Sequence, residues 1–224
     1  MRHVSLACVA LMTAAVVWAA PAAAPLPEAI ALPAPQTEGG MPLMEALGLR
    51  ASAREFAPEP LPAQTLSNLL WAAWGINRGD SGRRTAPSAR NWQDMDLYVI
   101  TAEAAYLYQP AANGLLGVAA GDLRRLAGTQ TFVRTAPLTV VMVADTRRML
   151  GAGTETHQAY AWAHAGFISQ NIYLFCASAG LNTVVRAMVD RPALAAALGL
   201  EEHHVIVFAQ SVGFPPRPEQ TPES

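Results

Sequence analysis

P-L-T-V-V-M-V-A-D, residues 137–145, is the stretch that decides the fold. Apolar and β-branched side chains occupy both its odd and its even positions, which is typical of a strand buried on both faces. This pattern predicts a strand in the middle of a sheet. The following residues, 155–179, form an apolar helix candidate on the order of 37 Å long, enough to cross a domain. Gly180 provides a C-cap for that helix.

Shorter elements surround this strand and helix without a regular βαβ rhythm, which favours an α+β fold over a doubly wound sheet. Apolar spacing predicts helices, and β-branched or alternating runs predict strands. The predicted helices cover residues 43–49, 65–74, 121–127 and 190–199, the last with Pro192 in its first turn. The predicted strands cover residues 96–102, paired with 104–110, then 182–189 as a strand or extended loop, and 203–213.

The N-terminus has the layout of a secretory signal. Arg2 precedes an apolar run, and small residues at Ala20 and Ala22 predict cleavage after residue 22. An uncleaved membrane anchor is the alternative, because the run approaches the length of a span. The sequence therefore predicts an exported, periplasmic protein: a signal peptide (1–22), a Pro/Ala-rich linker (23–40), one domain (41–218) and a disordered tail (219–224).

Several kinds of chemistry are excluded or disfavoured. All 15 basic residues are arginine, so no lysine provides a Schiff base or a phosphate-loop ligand. The net charge of −2 argues against nucleic-acid binding. G-D-S-G at 79–82 resembles a protease nucleophile loop, but the only upstream histidine is His3, within the signal. The remaining histidines lack metal-ligand spacing, and Cys176 is most simply a buried apolar residue.

Three polar segments stand out from their apolar surroundings. R-A-S-A-R places Arg50, Ser52 and Arg54 at alternate positions, so in an extended chain they converge on one anion. P-S-A-R-N-W-Q, residues 87–93, offers neutral hydrogen-bonding groups that suit the edge of a heteroaromatic ring. G-F-P-P-R leaves Arg217 just beyond the last strand. Each segment alone also fits an ordinary surface strand end, turn or tail.

Together, in this order and spacing, the segments resemble the FMN-dependent nitroreductase family over about residues 41–218. The resemblance implies a nitroreductase-like α+β fold, with a mostly antiparallel central sheet flanked by helices, a long central helix and a homodimer. The segment V-V-R-A-M-V-D, residues 184–190, then lies against flavin N5, where many members carry Glu-Gly. The implied cofactor contacts are Arg50, Ser52, Arg54, Pro87, Ser88, Asn91, Arg186, Ala187, Met188 and Arg217.

The resemblance implies an FMN oxidoreductase with flavin at the dimer interface, no catalytic side chain and no metal. NAD(P)H is the implied electron donor, and the acceptor is an unidentified small molecule. Within the family, the segments W-A-A-W-G-I-N-R and V-V-R-A-M-V-D look closest in sequence to the thiazoline and oxazoline dehydrogenase branch. Two alternatives stay open: a non-catalytic protein that keeps the fold with or without flavin, and a peptide-modifying azoline dehydrogenase. The role of residues 78–84 is not assigned.

Overall fold

The central strand predicted from residues 137–145 is an interior strand of a seven-stranded antiparallel sheet in a computed structural model that describes residues 25–217. The strand order is β1-β6-β5-β4-β7-β9-β8. The strands are β1 Ile30–Ala31, β2 Ile76–Arg78, β3 Arg83–Arg84, β4 Met95–Ile100, β5 Ala104–Gln109, β6 Gly114–Ala120, β7 Leu138–Asp145, β8 Asn182–Arg186 and β9 His204–Gly213. β2 and β3 form a separate hairpin.

Helices cover both faces of this sheet. The helices are α1 Leu43–Leu49, α2 Ala63–Trp74, α3 Phe132–Thr135, α4 Thr154–Ala179 and α5 Arg191–Leu198. Residues 124–126 form a 3-10 turn where a short helix was predicted. Among the described residues, no helix combines the length and apolar composition needed to cross a membrane. The predicted signal peptide, residues 1–22, lies outside the described residues.

The core explains why β7 is central. All eight of its residues are buried, and its apolar residues are divided between two apolar clusters. Val140 and Met142 face the cluster that contains buried α4 residues such as Ile168 and Ile172. Val141 packs in the other cluster with α5. Because each face of β7 has its own helix layer, the doubly apolar sequence correctly predicts its position.

The long helix ends as its sequence predicts. Gly180 adopts φ 65°, a left-handed conformation that closes α4. Asp190 is the N-cap of α5, and its carboxylate accepts a hydrogen bond from the Ala193 amide at 3.2 Å. Cys176 is buried on α4, and desolvation strongly raises the pKa of its thiol. The thiol therefore stays protonated, as expected for a buried apolar residue.

The predicted linker needs a correction in its described part, residues 25–40, here called the N-terminal strap. Ile30–Ala31 pairs with β6 at the sheet edge. The Ser67 hydroxyl and the Asn113 amide donate to the Pro33 carbonyl at 2.5 and 2.7 Å. A side chain at Gly117 would meet the Pro27 carbonyl oxygen at 1.9 Å. The strap is fixed by backbone groups, so it needs no hydrophobic period.

Candidate functional site

R-A-S-A-R lies along β8, the edge strand of the sheet. The Ala53 amide donates to the Thr183 carbonyl at 3.0 Å. The Ser52 hydroxyl is 2.7 Å from the hydroxyl of Tyr173, which also accepts from the Val185 amide at 3.1 Å. The Arg50 guanidinium lies 5.3 Å from the centroid of the Tyr173 ring. Tyr173, which the sequence analysis did not identify, therefore positions this segment from the long helix.

Arg54 and Arg217 lie near the same edge of the sheet. Arg54 is exposed, and its side chain makes no hydrogen bond or ion pair within residues 25–217. The Ala57 amide donates to the Phe214 carbonyl at 2.9 Å, which brings the chain after β9 beside the R-A-S-A-R segment. Arg217 is 86 % exposed and lies 3.4 Å from Glu59. Two cationic segments predicted to hold one anion are thus neighbours in the fold.

Arg186 requires a correction. Its side chain is buried, and it donates to the Ala127 carbonyl and to the Ser211 hydroxyl at 3.0 and 2.9 Å. Desolvation lowers the pKa of Arg186 to about 10, so the guanidinium remains charged at neutral pH. Side chains alternate along a strand, and this one faces the protein interior. The Arg186 side chain therefore has a structural role, and the predicted cofactor contact at this residue is left to its backbone.

The next residues face outward. Ala187 and Met188 are exposed, and Met188 lies beside Gln130, with 3.6 Å between its sulfur and the Gln130 amide nitrogen. The Gln130 oxygen is buried and has no hydrogen-bond partner among the described residues. An unsatisfied buried oxygen indicates a missing donor. Gln130 is a candidate site residue that the sequence analysis missed, because no local pattern brings it beside Met188.

P-S-A-R-N-W-Q forms a tightly wound loop, here called the PSARNWQ loop. Arg90, Asn91 and Gln93 have φ of 49°, 56° and 49°, in the left-handed region that non-glycine residues rarely adopt. Within the loop, the Ser88 hydroxyl accepts a hydrogen bond from the Gln93 amide at 3.0 Å. The Ser88 proton remains free to donate outward, and Asn91 is exposed. Pro87, also exposed, precedes the turn.

Gln93 ties the loop to two arginines. Arg84 donates through Nε to the Gln93 side-chain oxygen at 2.7 Å, and Arg148 donates to the Gln93 carbonyl at 2.8 Å. The side-chain amide nitrogen of Gln93 donates to the Gly82 carbonyl at 3.1 Å. Desolvation lowers the pKa of Arg84, which also stacks on Trp74 at 5.5 Å. The β2–β3 hairpin, unassigned from sequence, therefore supports the loop.

One chain does not bring the two halves of the candidate site together. The PSARNWQ loop meets α4 at His164, whereas R-A-S-A-R meets the same helix at Tyr173. The two contact positions are nine residues apart, roughly 13 Å along a helix axis. A cleft of about 580 Å³ between the strap, α2 and α4 contains none of the ten predicted residues. Ser88 and Asn91 therefore do not converge with the arginines inside one copy.

A second cluster was also missed. Asp145, His203 and His204 place possible ligand atoms within 4.8 Å of one another. Burial on its own would raise the pKa of Asp145, but hydrogen bonds from Arg147 and Arg148 outweigh it and lower the pKa to about 2. This carboxylate is already neutralised by two guanidinium groups. Their positive charges disfavour a metal ion at this cluster.

Comparison with known proteins identifies the class that this fold and site define. The model of the nitroreductase family matches residues 48–214, which is most of the chain. The chain therefore belongs to the nitroreductase family. Membership supports a general oxidoreductase role, and it confirms the expected α+β architecture.

Individual relatives agree with this assignment. A candidate nitroreductase from Methanocaldococcus jannaschii is 29 % identical over 152 residues, 63 % of this chain and 76 % of that protein. The crystal structure of a candidate nitroreductase from Ralstonia eutropha JMP134 is 42 % identical with a TM-score of 0.81, covering 86 % of this chain and 91 % of that chain.

More distant solved structures share the fold alone. The NADPH:FMN oxidoreductase of Vibrio harveyi, solved with NAD+, is 20 % identical with a TM-score of 0.58, covering 81 % of this chain and 72 % of that chain. A chain of the Escherichia coli microcin synthetase complex is 18 % identical with a TM-score of 0.65, covering 81 % and 76 %.

Proposed function

We propose that the protein is an exported, FMN-dependent oxidoreductase that works as a homodimer and transfers electrons to a small-molecule acceptor by a ping-pong cycle. The observation that carries this proposal is the arrangement at the β8 edge. There the segment with Arg50, Ser52 and Arg54 lies along β8, and the chain that continues from β8 exposes Ala187 and Met188. Membership of the nitroreductase family supports the reaction class.

The phosphate of FMN fits the arginine end of this arrangement. Arg54 has no partner within the described residues, and Arg217 has only an exposed contact with Glu59. Guanidinium groups bind phosphate in a bidentate manner, and the chain has no lysine for this purpose. Ser52 adds a neutral hydroxyl that Tyr173 holds in place. These residues are the expected phosphate ligands.

The flavin ring fits the segment after β8. Met188 offers an apolar surface that is 61 % exposed, and Gln130 carries a buried oxygen in need of a donor beside it. Ser88 and Asn91 offer neutral hydrogen-bonding groups for the ring edge. Because these two residues are remote from the arginines in one chain, we assign them to the flavin held mainly by the second copy.

Exposed apolar side chains support the dimer. Leu43 and Met44 on α1 are 61 % and 78 % exposed, and Phe167 on α4 is 47 % exposed. α1 packs against α4, so these residues belong to neighbouring elements. Exposed apolar groups on adjoining helices are typical of protein interfaces. We propose that a dimer covers them and that the PSARNWQ loop of one copy meets the β8 edge of the other in it.

The roles of the chain's own groups follow from this placement. FMN, when bound, supplies hydride acceptance and donation at N5. Arg50, Arg54 and Arg217 balance the phosphate charge, while Ser88 and Asn91 orient the ring edge and stabilise the negative charge that it gains on reduction. An electron donor such as NAD(P)H and then the acceptor would use the same open side of the loaded site. This alternation is the basis of the proposed ping-pong cycle.

The visible spectrum of the purified protein tests this function. We expect a yellow protein, or one that becomes yellow on addition of FMN, and anaerobic bleaching by NAD(P)H. Bleaching only by a different reductant would mean that NAD(P)H is not the electron donor, and the assignment of the flavin would stand. A colourless protein that does not retain added FMN would refute the proposal. The mass of the exported protein tests export separately, because cleavage after residue 22 is expected.

A further inference from the structure

His164 and Asp94 form a buried pair that the proposed mechanism does not use. Their side chains are 2 % and 0 % exposed, and His164 Nδ1 lies 2.8 Å from Asp94 Oδ1 and 3.0 Å from Oδ2. Asp94 directly precedes β4, and His164 lies in the middle of α4. The pair therefore joins the end of the PSARNWQ loop to the long helix.

A backbone group fixes the tautomer of His164. The Ala89 amide lies 2.9 Å from His164 Nε2. An amide N–H only donates, so Nε2 must be unprotonated and must accept. The imidazole proton then lies on Nδ1 and is donated to Asp94. The result is one continuous chain of hydrogen bonds from Asp94 through His164 to Ala89.

This chain of hydrogen bonds ends where the backbone is most strained. Ala89 directly precedes Arg90 and Asn91, both with positive φ. Such conformations cost on the order of 1 kcal/mol for each non-glycine residue, so they persist only where the surroundings enforce them. The imidazole is screened by Tyr160 and Trp92, with ring centroids 5.9 and 6.4 Å away. The Ala89 amide is therefore held by an acceptor that solvent does not reach.

We propose that His164, oriented by Asp94, is a positioning residue that holds Ala89 and thereby sets the geometry of Ser88 and Asn91 toward the flavin. This inference rests on the proposed function. His164 touches neither flavin nor substrate in this scheme, and it acts through the backbone of the loop. Its neutral Nε2 is required because a protonated Nε2 would face another donor.

Two substitutions separate the two hydrogen bonds of His164. His164→Gln keeps a group near the position of Nε2 and so preserves an acceptor for Ala89. His164→Asn keeps a group near the position of Nδ1 and so preserves the contact with Asp94 alone. Comparison of these two variants therefore tests which hydrogen bond determines the geometry of the loop. Thermal unfolding of both variants verifies that they are folded.

Hydrogen exchange of the Ala89 amide, measured without flavin, tests the hydrogen-bond chain directly. We expect exchange to accelerate about tenfold or more in His164→Asn and to stay near the wild-type rate in His164→Gln. Equal protection in both variants would overturn the proposal. This measurement succeeds or fails independently of flavin binding, so it is separate from the test of the proposed function.

Flavin binding tests the consequence. In His164→Asn we expect FMN and riboflavin affinities to fall by a similar factor, about tenfold, and the visible circular dichroism of the saturated protein to change. His164→Gln should restore both. Unchanged affinity and dichroism in a folded His164→Asn protein would contradict a positioning role. If His164→Asn does not fold, the same readouts apply to Asp94→Asn, in which the charge that orients His164 is removed and Ala89 exchange should still accelerate.

Discussion

The two halves of the candidate site are built in opposite ways. The PSARNWQ loop is held at Ala89 and Gln93 by groups from α4, the β2–β3 hairpin and the segment after β7. At the β8 edge, by contrast, Arg54 and Arg217 extend from the surface with few or no protein contacts. One half is braced by hydrogen bonds before any ligand arrives, and the other consists of exposed charges with little bracing.

The difference matches what each half is proposed to bind. A phosphate attracts guanidinium groups over several ångströms and from many directions, so long arginine side chains need little support. Neutral hydrogen bonds to a ring edge require distances near 2.9 Å and good alignment. The strained, braced loop therefore suits a ring, and the unbraced arginines suit a phosphate. Comparing FMN with riboflavin, which lacks the phosphate, separates the two.

The largest effect is expected at the phosphate half of the site, which contains the arginines at the β8 edge. In Arg50→Ala/Arg54→Ala, we expect the affinity for FMN to fall about 100-fold, because charge-assisted hydrogen bonds are lost, and the affinity for riboflavin to stay within a few-fold. Fluorescence titration with both ligands measures this. Arg125→Ala, which removes an exposed charge from the loop after β6, is the matched control. Parallel losses of FMN and riboflavin would show that these arginines do not hold the phosphate.

In the ring half of the site, which is the PSARNWQ loop, substitutions should change the free energy of unfolding. Gln93→Ala removes three side-chain hydrogen bonds and leaves the donor of Arg84 without its partner, so we expect the free energy of unfolding to fall by about 2 kcal/mol. Urea denaturation measures this. Gln93→Gly separates side-chain loss from the positive φ of 49°, because glycine tolerates that conformation. Alanine and glycine variants as stable as the wild type would mean that Gln93 does not brace the loop.

Acid should weaken the support of the ring half through Asp145, which binds Arg148. The pKa of Asp145 is lowered to about 2 in the folded protein, against roughly 3.9 in an unfolded chain. The stability from its carboxylate is therefore complete above about pH 4 and lost as the pH falls toward 2, by about 1–2 kcal/mol. Urea unfolding of the wild type and Asp145→Asn at several pH values checks this. If the stability difference between the wild type and Asp145→Asn does not shrink in acid, the Asp145 carboxylate does not stabilise the fold in this way.

The smallest expected effects come from one serine in each half. Ser88→Ala removes the acceptor of the Gln93 amide and should lower the free energy of unfolding by about 1 kcal/mol. Its loss of affinity should be equal for FMN and riboflavin. Ser52→Ala should weaken FMN more than riboflavin, because Ser52 lies with the arginines. Identical ligand profiles for the two serine variants would remove the distinction between the halves.

The sequence predicts the fold where one element carries its own signal. β7 and α4 have continuous apolar patterns, and the Gly180 C-cap is local. The braces of the loop have no such signal, because His164 lies 75 residues from Ala89 and Arg148 lies 55 residues from Gln93. The contacts that fix the loop exist only after folding has brought distant residues together.

Two differences between the expectations and the structure have similar physical causes. Arg186 was expected at the cofactor because its segment matches the family, but strand alternation turns its side chain into the interior. The N-terminal strap was expected to be an unpacked linker, yet proline carbonyls and a two-residue strand attach it to the domain. Motifs and hydrophobic periods do not reveal hydrogen bonds made by backbone groups.

The central claim, one flavin site divided between two copies, is tested most directly by mixing two defective variants. Arg50→Ala/Arg54→Ala lacks the phosphate half, and Ser88→Ala/Asn91→Ala lacks the ring half. In a mixed dimer one site carries both defects and the other carries none. We predict that neither variant alone retains FMN and that subunit exchange restores FMN binding. Mixed dimers, verified by mass spectrometry, that still fail to bind FMN would contradict the account.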